Sequence, residues 1–301
     1  FGDRNVFSQS EQQDLVNQYN EKDRKKLFIL KPLYQRAIIV AAGPLANFIL
    51  AIIIFSMINL FIGKDMTPAI ISEVQKDSPA FIAGLKKNDK ILFIDSKKVE
   101  SILEVSTFIN TSTKEKIEFI VLRDETEISM LIKPNIVEGK DSLGNSAKKR
   151  MIGIKLSLPA GNKLQRESLS FSKSVYYALK EVWFVSITSL NYVGKILIGE
   201  GDSSQLGGPV KIAKITGQIA EYGLIPFLNV MAYISISLGI INLFPIPMLD
   251  GGHLMFYFFE KVLGRPLRQK TQEGFFRIGL FLLFSLMFFV TFNDLRDLGL
   301  F

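Results

Sequence analysis

A single acid ends the longest uncharged run of this chain. The run extends from Tyr222 to Leu249, and its last residues read Asn242-Leu-Phe-Pro-Ile-Pro-Met-Leu-Asp-Gly-Gly-His253. A carboxylate beside so much apolar sequence is costly unless it meets a cation, a proton or water. Asp250 therefore has three chemical readings. It fits one ligand of a catalytic zinc, beside two imidazoles. It fits an ion-coupling group at a broken transport helix. It also fits a structural acid, paired with Lys or Arg or bonded to backbone N–H groups, which is the default for a lone Asp near a membrane surface. Asn242 places an amide close by. His253 is the only histidine, so these residues contain no pair of imidazoles.

The local sequence dictates how this acid is presented. Pro245 and Pro247 each lack an N–H and push the preceding residue toward extended backbone. Gly251 and Gly252 allow the chain to turn back where a side chain would clash. The expectation is an apolar helix, an unwound kink, and a second helix beginning near Asp250. Broken backbone at membrane depth survives only where protein covers it or a cavity solvates it.

Two further apolar runs flank this one. Ala37 to Gly63 carries no charge and exceeds the roughly 20 residues a helix needs to cross a bilayer. It contains Ala42-Gly-Pro-Leu-Ala-Asn47, whose small residues admit a neighbouring helix and whose Asn47 could hydrogen-bond across the contact. Gly274 to Asn293 is charged only at Arg277, near one end where the side chain can snorkel. Between residues 173 and 198, Lys173, Lys180, Glu181 and Lys195 interrupt the apolar pattern. That segment, with Trp183, Tyr176, Tyr177 and Tyr192, reads as an interfacial helix. Lys22, Arg24, Lys25, Lys26, Lys31 and Arg36 make a basic, solvated arm before the first run. Lys261, Arg265, Arg268 and Lys270 follow Asp250. The positive-inside rule puts both on the cytoplasmic side.

Residues 66–137 change character. Ala69–Val74, Ile91–Ile94, Ile117–Leu122 and Glu127–Ile132 read as strands, and Val99–Asn110 as a short helix. Ser78-Pro79-Ala80 starts another helix that closes at Gly84. With Ala83-Gly84-Leu85 and Asp89-Lys90-Ile91, the pattern resembles a bacterial PDZ domain, a fold that takes an extended peptide onto a sheet edge. It departs from that pattern at Asn88, where Gly is usual, and at Asp95-Ser96, where Asn-Gly is common. Residues 138–172 read as a linker with Lys148-Lys-Arg150 and a short strand at 152–158.

The expected architecture is an α-helical polytopic membrane protein, with three spans in this chain and an inserted α+β PDZ-like domain. Its parts are a cytoplasmic basic arm (1–36), a span (37–63), the extracytoplasmic PDZ-like domain (64–137), and a linker with interfacial helix (138–221). A kinked span (222–249), a cytoplasmic segment (250–273), a last span (274–293) and a tail (294–301) follow. The net charge of +7 suits anionic lipid, and no nucleic-acid motif is present.

The stretch from Asn242 to Gly252 resembles the N-x-x-P-x-P-x-x-D-G-G motif of the site-2 protease family of zinc intramembrane metalloproteases. The bacterial regulator-of-sigma-E protease branch is the most similar. Gly43-Pro44 with Asn47, the PDZ-like region, Gly208-Pro209-Val210, and Arg277 with Asn293-Asp294 agree with that family in order, over nearly the whole chain.

The resemblance implies Zn2+ as cofactor, with Asp250 as its third ligand beside two histidines, and a glutamate that activates water for peptide-bond hydrolysis. It implies that Asn242, Pro245 and Pro247 face the substrate, a membrane-spanning protein or signal peptide, in a bacterial inner membrane. The family's His-Glu-x-x-His is absent from these residues. Phe1-Gly2-Asp3 resembles the end of a Gly-Gly-Tyr-Val-Lys hairpin, so the helix bearing that motif is expected before residue 1 and the chain alone is expected to be inactive. The alternative is a non-catalytic membrane scaffold that presents a peptide-binding PDZ-like domain; an ion-coupled transporter would need more spans.

Overall fold

The computed structural model describes residues 27–112, 114–140, 146–157, 165–199 and 207–297. Lys22 to Lys26, Pro159-Ala-Gly161, Phe1-Gly2-Asp3 and the end of the tail lie outside the described residues. The chain divides into two units: residues 55–177, and residues 1–54 together with 178–301.

The first unit is built on a four-stranded antiparallel sheet of order β4-β3-β5-β6. Its strands are β3 (Lys90–Ile94), β4 (Lys97–Lys98), β5 (Ile117–Arg123) and β6 (Thr126–Ile132). Period-2 alternation sets its inner face: Ile117, Phe119 and Val121 of β5 are buried while Glu118 and Ile120 are less so. They pack with Ile91, Ile94, Ile132 and, from helix α3 (Ile102–Thr111), Val105 and Ile109. Each such side chain contributes about 1.5–3 kcal/mol by leaving water. Helix α2 (Pro79–Ile82) begins as its sequence predicts, with Ser78 as N-cap accepting from Phe81 N at 3.2 Å and Pro79 in the first turn.

Both departures from the PDZ pattern fall where φ is positive. Asn88 has φ 71°, and Asp95 and Ser96 have φ 48° and 63° in the β3–β4 turn. Those are the conformations glycine and asparagine adopt at least cost, which is why they are common there. Asp95 is held by its side chain, which accepts from Ser112 Oγ at 2.5 Å and Glu118 N at 3.2 Å. Asp89, fully buried, receives Arg123 through Nε at 2.7 Å and Nη2 at 2.6 Å, and Lys86 N at 2.8 Å.

This core runs past residue 137. Strand β9 (Ile154–Leu156) pairs antiparallel with β2 (Ile71–Val74), and Ile152 joins the buried cluster. Lys149 and Arg150 belong not to a linker but to β8 (Ser146–Met151), paired with β7 (Asn135–Lys140). A polar, charged pattern hid β7 and β8, whereas the short strand read at 152–158 contains β9. Strand β1 (Lys64–Asp65) pairs with β10 (Arg166–Glu167), closing the unit's start on its end.

The second unit is helical: α1 (Leu33–Phe61, through Ile54), α4 (Phe171–Leu197, from Ala178), α5 (Pro209–Glu221), α6 (Leu224–Leu243), α7 (Asp250–Leu263) and α8 (Gln269–Asp297). Among the described residues three helices, spanning Leu33–Phe61, Leu224–Leu243 and Lys270–Arg296, are long and apolar enough to cross a membrane. Helix α8 exposes Phe281, Leu282, Phe284 and Phe288 around much of its surface. Helix α4 is interrupted by charge and is not among the three.

Candidate active site

Helix α6 ends at Leu243, and residues 244–249 are not helical. Pro245 and Pro247 supply the physical reason, since neither can donate to a preceding turn. The reversal itself is made by Met248, at φ 87°, rather than by the glycine pair. Gly251 and Gly252 lie in the first turn of α7. Their role is close approach. A Cβ on Gly251 would come under 3.0 Å from the carbonyl oxygens of Leu243 and Phe244, and one on Gly252 equally close to Ile246 O. The break is folded flat against the start of α7. Gly279 of α8 packs on it from another side, where a Cβ would meet Pro247 O and Cβ.

Asp250 is the first residue of α7, a place the helix dipole favours for an acid. Its carboxylate is half-buried and faces α1: Oδ2 lies 3.0 Å from where a Cβ on Gly43 would stand. Among the described residues the Asp250 carboxylate has no hydrogen bond and no ion pair, so the structural reading of this acid lacks its partner. Asn242 sits half-buried in the last turn of α6; Pro245 is exposed and Pro247 buried. His253, three residues into α7, packs against Phe276 at 5.7 Å and Phe256 at 6.4 Å between ring centroids.

Helix α1 meets α6 as well. Ser235 Oγ donates to Asn47 O at 2.8 Å, and Gly239 lies against the Phe48 ring. The expected helix contact at Asn47 is therefore present, but it uses the main-chain carbonyl and not the side-chain amide. A serine within reach of a helix carbonyl's second lone pair is sufficient.

Gly208-Pro209-Val210 and Asn293-Asp294, far apart in sequence, come together. Asp294 is 2% exposed and accepts from Gly208 N and Lys211 N, both at 2.9 Å, capping the start of α5 from α8. Gly208 has no side chain to cap its own helix, and a Cβ there would collide with this carboxylate. Arg36, expected in a solvated arm, is instead 19% exposed and paired with Glu260 of α7 at 2.6 Å. Charge density alone could not separate it from its solvated neighbours.

Asp250 fits one corner of a zinc site: a carboxylate without a partner among the described residues, with a glycine keeping its oxygen accessible. It does not complete one. No three of His, Cys, Asp and Glu gather among the described residues.

Residues 9–286 match the profile of Peptidase family M50. The chain belongs to that family. Similar proteins include one of Agrobacterium fabrum provisionally named a zinc metalloprotease, 36% identical over 99% of this chain and 78% of its own length. The metalloprotease MmpA of Caulobacter vibrioides is 34% identical over 100% of this chain and 80% of its own. The zinc metalloprotease RasP of Geobacillus kaustophilus is 33% identical over 89% and 61% respectively. A solved PDZ domain of an SdrC-like protein from Listeria monocytogenes aligns with 31% of this chain and 90% of its own, at 22% identity and a TM-score of 0.24. Membership of M50 makes this a metalloprotease-family chain, and two of these relatives carry the name zinc metalloprotease.

Proposed function

We propose that this chain forms part of a zinc-dependent intramembrane endopeptidase and that Asp250 is one of its zinc ligands. The observation that carries the reading is the half-buried Asp250 carboxylate, without a partner among the described residues, at the break of an apolar helix and opposite Gly43. The break sets its geometry. Gly251 and Gly252 let the 244–249 segment lie on α7, and this fixes the helix whose first residue bears the ligand. Zinc, when bound, supplies a Lewis acid for peptide-bond hydrolysis. A single histidine is among these 301 residues, so they do not by themselves supply the two imidazoles that the reading calls for.

Asn242, with Pro245 and Pro247, faces the substrate: the amide bonds an unwound substrate strand, and the prolines keep the break open. Substrates are membrane-spanning proteins or signal peptides, cleaved in a bacterial inner membrane. The three apolar helices and the exposed phenylalanines of α8 support a multi-pass arrangement. The basic segments put Asp250 on the cytoplasmic side and residues 64–157 outside, where the PDZ-like sheet takes a peptide.

The test uses the full-length gene product. It should bind about one zinc and cleave a membrane-spanning reporter, and Asp250→Ala should lose both. Peptide binding without zinc or cleavage would establish the scaffold reading instead.

A further inference from the structure

We infer that Arg36 is a positioning residue for Asp250, acting through Glu260 to lock α7 in register against α1. The inference rests on the reading of Asp250 as a metal ligand. Arg36 Nη2 donates to Glu260 Oε1 at 2.6 Å, and the two side chains are 19% and 20% exposed. The guanidinium lies 5.1 Å from the centre of the Tyr257 ring, one turn before Glu260 on the same helix. Its Nε donates to Lys31 O at 3.2 Å, tying in the chain just before α1.

Neither charge suits its own helix. Arg36 stands in the first turn of α1 and Glu260 in the last turn of α7, the ends where the dipole disfavours each sign. Only the antiparallel contact between the two helices reverses that balance, because each charge then faces the favourable end of the other helix. The pair is thus a cross-helix device and not a helix-stabilising one.

Its leverage on the site follows from helix geometry. Gly43 lies about 10 Å along α1 from Arg36, and Asp250 about 15 Å along α7 from Glu260. One contact at each end of α7, Asp250 on Gly43 and Glu260 on Arg36, fixes both its slide and its tilt on α1. A metal ligand tolerates displacement of only about 0.5 Å. With the far end released, α7 would hold its first residue less well than that.

The experiment measures zinc affinity of the full-length protein by competition with a chelator, with thermal unfolding recorded in parallel. Glu260→Ala and Arg36→Glu should each weaken zinc about tenfold. Arg36→Lys, which keeps the charge and the fold, should weaken it about threefold, being a point charge without the planar fork. The exchanged pair Arg36→Glu with Glu260→Arg should restore affinity to within about threefold of the parent. Unchanged affinity in Glu260→Ala and Arg36→Lys, with zinc lost in Asp250→Ala, overturns the inference and leaves the metal reading standing. Single variants that lose zinc without recovery in the exchanged pair also overturn it. Zinc retained in Asp250→Ala overturns the metal reading and this inference with it.

Discussion

Oδ2 of Asp250 and the α-carbon of Gly43 face each other so closely that a Cβ on Gly43 would stand 3.0 Å from the oxygen. The neighbour that must yield is the end of a side chain, so the fold tolerates Gly43→Ala with little change in unfolding temperature. The carboxylate, however, is displaced by a few tenths of an ångström. Zinc affinity of the full-length protein is expected to fall about tenfold, measured by chelator competition.

Gly251→Ala should behave in the opposite way. Its Cβ would meet two main-chain carbonyls under 3.0 Å, and neither can rotate aside. The expected cost is about 3 kcal/mol or more, read as a lowered unfolding temperature in detergent. Gly274→Ala is the control: nothing lies within 4 Å of its Cβ, and the helix should tolerate or gain from it.

Asp294→Ala removes the acceptor of both Gly208 N and Lys211 N. The loss of such a cap costs about 1–2 kcal/mol. Faster amide exchange at the start of α5, with α6 unchanged, is the expected signature.

Arg123→Ala strands the Asp89 carboxylate, which is 0% exposed, with one main-chain donor in place of three N–H groups. Removing one partner of a fully buried pair costs about 3–5 kcal/mol, and less is expected here because the Arg123 side chain is 21% exposed. Chemical unfolding followed by a probe in residues 55–177 should detect it.

Asp95 predicts an acid sensitivity. Burial pushes its carboxyl up, but bonds from Ser112, Glu118 N and Lys114 outweigh that and hold it below the ordinary value of 3.8. A group depressed in the folded state contributes fully above its unfolded value and loses that contribution as pH falls through the folded one. Stability of residues 55–177 should therefore drop below about pH 4. Asp95→Asn should flatten that dependence, measured as unfolding temperature against pH.

Several local features were legible in the sequence because their causes are local. Ser78-Pro79 starts a helix with its own hydroxyl and ring, and the alternation in β5 announces its buried face. Pro245 and Pro247 break a helix wherever they occur. The glycine pair was legible as special but not in its role: it admits the preceding carbonyls, while Met248 makes the turn. Strands β7 and β8 were not legible, since their sequence is polar and charged, whereas β9 lies within the short strand read at 152–158 and only its pairing with β2 needed the structure.

The sequence by itself determined three apolar runs, a break carrying one acid, and a motif that resembles that of the site-2 proteases, because composition and proline chemistry act over a few residues. Tertiary structure alone decided that Gly43 faces Asp250, that Asp294 caps Gly208 and that Arg36 meets Glu260. Each pair joins residues distant along the chain, and only the packing of whole helices sets the distance between them.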